Sequence, residues 1–553
     1  MSGETGRVLT RRSLVRTTAA GAVGLLAARL AAADALASSG RRRRSPEPAL
    51  HGLRITNGGP RYAGDHRLLT TVSPGRRGPT RIPVIEFGLR ARARLELELL
   101  ETSTRSIEVV QRHVTRLPAG RHRLPLKLRS TLSSGTYIVR IRVTNSSGKT
   151  RLYGPPGGDS SRRGRAPVVR ILGVEASMDA RSYAPGGRAV LRVESDARRL
   201  TLQMFESGRE ELRTRRRDEL LGTPVSDAVE LDWRGRRRGH QRLRVAIGDW
   251  PTGMYFARLT ADDGAVGYAP FIVRSRRLGT SRTAIVLPTN TWQAYNFYDA
   301  DGDGWGDTWY AGGSPPVVLD RPYERRGVPP HFHNYDLPFI RWLLSTGKDV
   351  EFLAEEDLER FRNGRVLRDH YDLVVFSGHS EYVTTRMYDI VERYRDLGGN
   401  LMFLSANSFF WKVRRRRSSI ERVTRWRDVG RPESSLIGAQ YLANDDGSIQ
   451  DSFVVESTES APWLFEATGL SEGSTFGHYG VEIDARTPHS PEGTVLLATL
   501  PDLFGPGLTG EMTYYETEAG ARVFAAGAMA FGGSADRWVV GRLLENLWQR
   551  LAP

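Results

Sequence analysis

The pattern of apolar residues changes near residue 281, and this change limits the possible fold more than any other feature of the chain. Before it, apolar and polar residues alternate in short runs, for example at 94–100 and 137–143. A period of two predicts strands that bury one face, and many short strands predict a β-sandwich. After it, runs such as 283–288 and 372–376 are continuously apolar and alternate with helical patterns. That arrangement predicts a mainly parallel sheet with helices on both faces.

A repeated signature divides the alternating half into two modules. Residues 135–140 are Gly-Thr-Tyr-Ile-Val-Arg, residues 253–258 are Gly-Met-Tyr-Phe-Ala-Arg, and a turn follows each. Two copies more than a hundred residues apart indicate a duplicated domain and not a solenoid. The signature is typical of the penultimate strand of an immunoglobulin-like sandwich. We therefore expect an α/β + all-β protein, with two immunoglobulin-like β-sandwich domains, for support or docking, ahead of an α/β domain.

The segments between these regions set the expected boundaries. Residues 38–50 and 154–165 are rich in Arg, Ser, Gly and Pro, which is typical of linkers. The predicted order is a signal peptide at 1–37, a linker at 38–50, a first β-sandwich at 51–153, a second linker at 154–165, a second β-sandwich at 166–275 and an α/β domain at 281–553.

The N-terminal segment is typical of an export signal. Residues 10–16, Thr-Arg-Arg-Ser-Leu-Val-Arg, match the twin-arginine pattern, and an Ala- and Leu-rich run follows at 17–30. Ala35-Leu36-Ala37 then offers small residues for cleavage. The sequence predicts export by the twin-arginine route to the extracellular space or cell envelope. Because this route carries folded proteins, it is compatible with a metal acquired before export.

Composition excludes several classes of site and partner. The chain has no cysteine, which excludes disulfides, cysteine nucleophiles and thiolate metal sites. Its net charge is +17, but the arginine runs are scattered and lack interleaved aromatic residues, so we expect no nucleic-acid partner. Contact with anionic envelope polymers stays open as an alternative to a simply solvated surface. Beyond the N-terminus, no run reaches the ~20 apolar residues of a transmembrane span.

Polar residues follow two neighbouring strands of the α/β domain. The third strand is followed by Ser-Gly-His-Ser-Glu-Tyr at 377–382 and the fourth by Ser-Ala-Asn-Ser-Phe-Phe-Trp at 405–411. Ligands of open α/β sheets bind beyond the carboxyl ends of the strands. We therefore expect one rim to carry the candidate catalytic groups His379, Glu381 and Asn407, together with Tyr382. The alternative is that these side chains cap the next helix and hold the loop.

A second group of polar and aromatic residues follows the first strand of this domain. Trp292, Gln293, Tyr295 and Asn296 are expected near the same rim, as candidate substrate-binding residues. Aromatic and amide side chains suit a sugar or an amide ligand. They equally suit a packed loop.

An acidic loop follows directly and predicts a calcium site. Carboxylates stand at alternate positions, with glycine at the sixth, and the candidate ligands are Asp299, Asp301, Asp303 and Asp307. This spacing can turn the carboxylates towards one Ca²⁺. Position twelve is Tyr310, so the loop is not an EF-hand. The expected role is structural, and a solvated acidic loop is the alternative.

Six short motifs follow one another in the last domain: Gly-His-Ser-Glu-Tyr at 378–382, Gly-Asn-Leu-Met-Phe at 399–403, Asn-Ser-Phe-Phe-Trp at 407–411, Trp-Arg at 426–427, Gly-Arg-Pro-Glu at 430–433 and Gly-Val-Glu-Ile-Asp at 480–484. In this order they resemble the large (beta) subunit family of N,N-dimethylformamidase. The likeness covers residues 281–553, and it is closest to secreted actinobacterial members with a twin-arginine signal. The resemblance implies a glutamine-amidotransferase-like or flavodoxin-like α/β fold.

The resemblance also implies a mononuclear iron held by two tyrosines and one glutamate. Tyr382 matches one tyrosine of the family. Phe410 stands where the family motif has a second tyrosine, and phenylalanine cannot bind iron. The glutamate corresponds to Glu421 or Glu482, and the sequence leaves this choice open. Oxygen ligands of this kind suit a ferric ion that polarises an amide carbonyl or activates water.

Three functions follow as expectations. The first is a secreted, dimethylformamidase-like, metal-dependent hydrolase of a non-peptide C–N (amide) bond. The second is a non-catalytic extracellular protein that binds carbohydrate or envelope polymers through a degenerate catalytic domain. The third is a scaffold. The expected partners are a small-molecule amide or glycan ligand and either further copies of this chain, as a homo-oligomer, or a small partner subunit.

Overall fold

The computed structural model describes residues 48–73, 81–102, 107–155, 166–234, 239–310 and 315–553. The fold is mixed and mostly β, with 39% strand and 16% helix. The signal peptide expected at 1–37 and most of the two linkers lie outside the described residues. Among the helices that are described, none combines the length and the apolar character that a membrane crossing requires.

The first β region forms two sheets that face each other. Its strands are β1 (Leu50–Thr56), β2 (Leu69–Val72), β3 (Val84–Leu89), β4 (Ala93–Glu101), β5 (Glu108–Leu117), β6 (Gly120–Pro125), β7 (Gly135–Asn145), β8 (Thr150–Tyr153) and β9 (Val168–Ile171). One sheet has the order β1-β3-β6 and the other β2-β9-β7-β4-β5, with β8 paired to β7. Alternate residues such as Ile85 and Phe87 of one sheet and Leu97 and Ile141 of the other share one core. The alternating pattern therefore buries one face of each sheet.

The boundary between the two β regions differs from the predicted one. Strand β9 begins at Val168, inside the segment assigned to the second sandwich from residue 166. It pairs in parallel with β2 and antiparallel with β7, so it completes the first sandwich. The pairing partner of a four-residue strand is set by long-range contacts, which local periodicity does not reveal.

The second β region repeats this arrangement. Its strands are β10 (Glu175–Met178), β11 (Ser182–Tyr183), β12 (Arg188–Glu194), β13 (Arg199–Glu206), β14 (Thr223–Pro224), β15 (Val229–Asp232), β16 (Gln241–Ala246), β17 (Gly253–Ala261) and β18 (Val266–Val273). The sheets β10-β12-β16 and β11-β18-β17-β13-β14 enclose a second core. The hydroxyls of Tyr137 and Tyr255 each donate to the carbonyl four residues upstream, at 2.9 Å. The repeated sequence signature therefore makes the same contact in both modules.

The C-terminal region contains the remaining elements. Its strands are β19 (Thr283–Leu287), β20 (Val317–Val318), β21 (Glu351–Ala354), β22 (Leu373–Phe376), β23 (Tyr382–Thr384), β24 (Asn400–Phe403), β25 (Trp411–Arg416), β26 (Ser419–Arg425), β27 (Gln440–Asn444), β28 (Gln450–Val455), β29 (Thr475–Gly480), β30 (Glu482–Ala485), β31 (Val495–Leu500), β32 (Gly510–Glu516) and β33 (Arg522–Ala525). Its helices are α1 (Thr289–Ala294), α2 (Glu324–Gly327), α3 (Phe332–Tyr335), α4 (Leu337–Ser345), α5 (Glu355–Leu358), α6 (Gly364–His370), α7 (Thr385–Asp396), α8 (Ser434–Ile437), α9 (Pro462–Phe465) and α10 (Trp538–Leu551).

A nine-stranded sheet organises this region, in the order β21-β19-β22-β24-β33-β32-β31-β28-β29. The first five strands are parallel, as their continuous apolar runs predict, and the remaining strands pair antiparallel. Two separate apolar clusters cover its faces, one containing α4 and α10 and the other α6 and α7. The prediction of a parallel sheet is therefore confirmed for five of the nine strands, and the other four pair antiparallel.

The three regions pack closely against one another. Gly327 has φ +96°, and a Cβ atom there would lie 1.9 Å from the carbonyl oxygen of Tyr268 in β18. Only glycine allows this approach, which brings α2 onto the second sandwich. Trp305 packs with Leu69 and Ile138 of the first sandwich. The loops near the carboxyl ends of the parallel strands are therefore held against both sandwiches.

Candidate functional site

The candidate site lies where the central parallel strands end. Strand β22 pairs in parallel with both β19 and β24, so the residues after Leu287, Phe376 and Phe403 emerge at the same edge of the sheet. Helix α1 follows the first of these strands, and the polar segments 377–382 and 405–411 follow the other two. The sheet topology therefore brings segments that are far apart in sequence to one location.

Six side chains meet at this edge, and we call them the site cluster: Tyr295, His379, Glu381, Tyr382, Asn407 and Glu482. His379 Nε2 lies 3.3 Å from Glu482 Oε2 and 3.7 Å from Glu381 Oε2. The Tyr295 hydroxyl donates to Glu381 Oε2 at 2.5 Å. The rings of Tyr295 and Tyr382 stand edge to face, with centroids 6.1 Å apart. An imidazole therefore lies beside two carboxylates and the ring of Tyr295, which in turn packs against Tyr382.

Asn407 fixes one side of the cluster. Its Nδ2 donates to Glu482 Oε2 at 2.9 Å, and its backbone N–H donates to Asp484 Oδ1 at 2.8 Å. Its Oδ1 is buried and has no hydrogen-bond partner in the part of the chain that is described. Buried polar atoms are normally satisfied, so this oxygen is available to a ligand.

Backbone strain is concentrated beside the cluster. Asn407 has φ +53° and Phe409 has φ +59°, both left-handed. Val481, next to Glu482, has φ +68°, which is rare for a β-branched residue. Such conformations cost about 1–3 kcal/mol each and persist where the surrounding structure imposes them, often at functional sites.

Burial and charge shift the pKa values of the cluster. Burial raises the pKa of Glu381, and the negative charge of Glu482 raises it further while His379 opposes the shift. Burial alone would lower the pKa of His379, but the carboxylates of Glu482 and Glu381 together raise it above its ordinary value. Burial also raises the pKa of Asp484, to about 7. The cluster can therefore hold protons near neutral pH.

The donors of the cluster fit a hard metal ion. Burial raises the pKa of Tyr295, and both the charge of Glu381 and a hydrogen bond to it act in the same direction. Burial and the same two effects of Glu381 raise the pKa of Tyr382, against the charge of Arg422. Both phenols are thus directed at one carboxylate. Two phenolic oxygens and one carboxylate suit a ferric ion.

The structure places Glu421 and Glu482, the two glutamates between which the sequence could not choose, in different surroundings. Glu482 belongs to the site cluster. Glu421 lies on β26 and forms ion pairs with Arg416 at 3.0 Å and Arg414 at 3.7 Å. Phe410 lies against Tyr441, with ring centroids 5.1 Å apart. The second phenol of the cluster comes from Tyr295, which the sequence assigned to substrate binding.

The other predicted substrate-binding residues have structural contacts. Trp292 Nε1 donates to Asp336 Oδ2 at 3.1 Å. Gln293 Nε2 donates to the carbonyl of Arg321 at 3.0 Å, and Asn296 Nδ2 to the carbonyl of Pro322 at 2.8 Å. Trp292 and Gln293 are buried in these contacts, whereas Tyr295 and Asn296 also line a cavity.

This cavity has a volume of about 380 Å³ and lies next to the cluster. Tyr295 is shared between them: its hydroxyl contacts Glu381, and its ring forms part of the cavity wall. Phe297, Tyr310 and Phe332 supply aromatic surface, and His331 lies among them. A cavity of this size suits a small organic molecule.

Two buried carboxyl groups near the cluster were missed in the sequence. Asp336 accepts from Trp292, and its Oδ1 lies 2.2 Å from the position that a Cβ at Gly378 would occupy. Burial raises the pKa of Asp336 to about 8 and that of Glu355 to about 8. Glu355 accepts from the backbone of Asn290 at 2.6 Å. The sequence held one local sign of Asp336: Gly378, the residue before His379, has no side chain and so allows the Asp336 carboxyl to approach closely.

The acidic loop is compact. Within the described residues, Asp299, Asp301 and Asp307 form the one group of three His, Asp or Glu side chains whose possible ligand atoms lie within 4.8 Å of one another. Asp303 is outside this group and caps the backbone of Trp305 at 2.9 Å. Asp299 accepts from Gly302 and Gly304, both at 2.8 Å. Three of the four predicted ligands are therefore close together.

Comparisons with known proteins agree with the motifs. The family model described as N,N-dimethylformamidase beta subunit-like, C-terminal, matches residues 223–541. The N,N-dimethylformamidase beta subunits of Paracoccus aminophilus and of Alcaligenes sp are 34% and 33% identical over 117 residues. This stretch covers 21% of this chain and 15% of each relative, so the match spans about a seventh of the length of these relatives.

A solved structure, the transglutaminase of red sea bream, has 11% identity and a TM-score of 0.18, covering 42% of this chain and 32% of that one. The family match covers more than half of the 553 residues and includes the whole site cluster. The resemblance inferred from the motifs is thus confirmed at the level of the family. This chain belongs to the N,N-dimethylformamidase beta subunit-like, C-terminal family.

Proposed function

We propose that this protein is a dimethylformamidase-like, metal-dependent hydrolase of a non-peptide C–N (amide) bond. The observation that carries the proposal is the contact of Tyr295, Glu381 and His379 in one buried cluster beside a small cavity. A binding protein with a degenerate site would have no need to keep two carboxylates on one buried imidazole. Removing such groups from water costs free energy, and clusters of buried titratable groups beside a cavity are concentrated at functional sites.

We propose Tyr295, Tyr382 and Glu381 as the residues that would hold the iron. Glu381 takes the place for which the sequence offered Glu421 or Glu482, because it is the carboxylate that both phenols contact. The Tyr295 hydroxyl donates to the Glu381 carboxylate at 2.5 Å, and within the described residues the ion-pair partner of this carboxylate is His379, at 3.7 Å. When bound, the ion would supply Lewis acidity towards an amide carbonyl or a water molecule. The replacement by Phe410 does not weaken this assignment, because Tyr295 provides the second phenol.

His379 is suited to move a proton. The Glu482 carboxylate, 3.3 Å from Nε2, stabilises the protonated imidazole. In amide hydrolysis, the water oxygen bonds to the carbonyl carbon, the C–N bond breaks and the amine nitrogen takes a proton. We propose that Nε2 of His379 carries this proton, while Asn407 holds Glu482 in place at 2.9 Å. Positioned acid–base groups contribute about 10²–10⁴ in rate.

The test is hydrolysis of small formamides, followed by amine release. We expect activity in the wild type and none in Glu381→Gln or His379→Ala. The control Glu421→Gln should be fully active, because Glu421 lies on β26 and forms an ion pair with Arg416. The amide oxygen introduced by Glu381→Gln would still accept from the Tyr295 hydroxyl, so the fold should survive. Wild-type protein that carries iron and hydrolyses no amide would contradict the proposal.

The accessory features are also proposals. We propose that Asp299, Asp301 and Asp307 bind a structural Ca²⁺, which is supported by their closeness. We propose that both sandwiches are immunoglobulin-like supports, because Tyr137 and Tyr255 repeat one contact typical of that fold.

Export by the twin-arginine route is proposed from residues 10–16 alone. Replacing Arg11 and Arg12 by Lys should keep the protein inside the producing cell. Continued appearance of the double variant outside the cell would contradict this route.

A further inference from the structure

The cavity beside the site cluster has walls from two regions of the chain. One wall belongs to the C-terminal region and contains Tyr295 and Tyr310. The other includes Arg217, which lies between β13 and β14 of the second sandwich. The second sandwich is therefore not only a support, because it contributes a side chain to the space where a substrate would lie.

The charge of the cavity wall is positive. Arg217 is exposed, and no carboxylate within the described residues pairs with it. Arg325 also lines the cavity; its ion pair within those residues is with Glu101, at 3.3 Å, and its own side chain is half exposed. Such a pair contributes little and leaves the guanidinium able to bind another anion. The carboxyl of Glu324 is the acidic group among the lining residues; burial raises its pKa well above its ordinary value, and the charge of Arg325 opposes this shift.

Neighbouring acids do not neutralise Arg217. Asp218, the next residue, is engaged by Arg216 at 3.3 Å and by Arg326 at 3.5 Å. The adjoining pocket, about 380 Å³ in volume, is lined by Arg215 and Arg216 as well as Arg217. A substrate entering from this side meets several guanidinium groups.

The arginine-bearing segment is fixed in place at several points. Glu210 receives an ion pair from Arg341 of α4 at 2.6 Å, and Arg213 contacts Asp536 at 3.2 Å. Thr214 donates to Glu219 at 2.7 Å. The first two contacts tie the beginning of the segment to the C-terminal region, and the third closes the turn that carries Arg217.

We propose that the cavity takes an amide that carries a carboxylate, such as an N-formyl or N-acetyl amino acid, and that Arg217 and Arg325 bind this carboxylate. Guanidinium groups bind carboxylates through paired, charge-assisted hydrogen bonds. The inference rests on the proposed amide hydrolysis. Water adds to the acyl carbon, the C–N bond breaks, and the products are a carboxylic acid and a free amino acid.

The test compares an anionic with a neutral substrate, N-formylglycine and N-methylformamide. The ratio of their kcat/KM values should be above one in the wild type and should fall about tenfold in Arg217→Ala, mainly through KM for N-formylglycine. Arg217→Lys should restore part of this ratio. The control is Arg242→Ala, on the exposed face of β16, which should leave the ratio unchanged. A ratio that Arg217→Ala does not alter overturns the inference.

Calorimetry with N-formylglycine separates this inference from the reaction itself. If the wild type hydrolyses neither amide, the proposed function fails. Binding of N-formylglycine to the wild type that weakens about tenfold in Arg217→Ala would then still support the anionic site. Absence of binding to the wild type would overturn the inference together with the function.

Discussion

Asn407 donates its side-chain N–H to Glu482 Oε2 at 2.9 Å, joining two segments 75 residues apart in sequence. The same oxygen lies 3.3 Å from His379 Nε2. Asn407 follows the parallel strand β24, whereas Glu482 begins β30 in the antiparallel part of the domain. The contact therefore links two parts of the domain. The apolar runs of the sequence predict the parallel strands, but they do not predict the antiparallel strands.

The first prediction concerns the contribution of Asn407. Asn407→Gly and Asn407→Ala should both lower kcat about 10–100-fold, because Glu482 loses the donor that orients it. The two variants should differ in stability. Asn407 has φ +53°, so alanine should be less stable than glycine by about 1 kcal/mol in chemical unfolding. Equal activity of both variants and the wild type would exclude a positioning role.

A second prediction concerns pH and the buried Glu355. Burial raises its pKa from 4.5 to about 8, against the backbone N–H of Asn290, Arg415 and Ser380, and Glu359 raises it further. The folded state therefore holds this proton more tightly than the unfolded state. The stabilisation is complete below pH 4.5 and is lost as pH rises towards 8, at up to about 1.4 kcal/mol per pH unit.

Glu355→Gln should make this decline in the free energy of unfolding shallower, measured by urea denaturation between about pH 5 and pH 8. The part of the decline that the raised pKa values of Asp336 and Asp484 cause should remain. Glu356→Gln is the matched control. Burial would raise the pKa of Glu356, but Arg181 and Arg415 lower it, so this group stabilises the fold above its unfolded pKa. The control should keep the decline. A decline that is as steep in Glu355→Gln as in the wild type would show that burial does not raise the pKa of Glu355.

A third prediction concerns calcium. The loop that contains Asp299 and Asp301 packs on the first sandwich through Trp305. Saturation at about 100 times Kd should stabilise the fold by about 2.7 kcal/mol, and a chelator should remove this gain in thermal melts. Asp301→Asn should melt like the chelated wild type, with or without Ca²⁺. The outcome that contradicts the site is a wild-type melting temperature that a chelator leaves unchanged.

The sequence was sufficient to place the parallel-strand ends. His379, Glu381, Tyr382 and Asn407 follow strands of continuous apolar residues, and parallel pairing brings such ends to one edge. Their meeting is thus a consequence of a pattern that can be read locally. Their catalytic roles stay predictions.

The positions of Tyr295 and Glu482 in the site cluster could not be read from the sequence. Tyr295 ends the six-residue helix α1, and the direction of its side chain is set by packing against His379 and Tyr310. Glu482 begins β30, which belongs to the separate two-stranded sheet β27-β30, and its carbonyl accepts from the backbone N–H of Met529, just after β33, at 3.0 Å. Pairings between strands far apart in sequence leave little trace in local periodicity.

The most direct test of the account is the iron content of the purified protein, measured with its visible absorption. We predict about one iron per chain, with an iron–phenolate band, in the wild type and in the control Tyr514→Phe, whose parent hydroxyl contacts Glu516. Tyr295→Phe should lose both the metal and the band while remaining folded. A wild type without iron, or a Tyr295→Phe variant that retains all of it, would contradict the central claim.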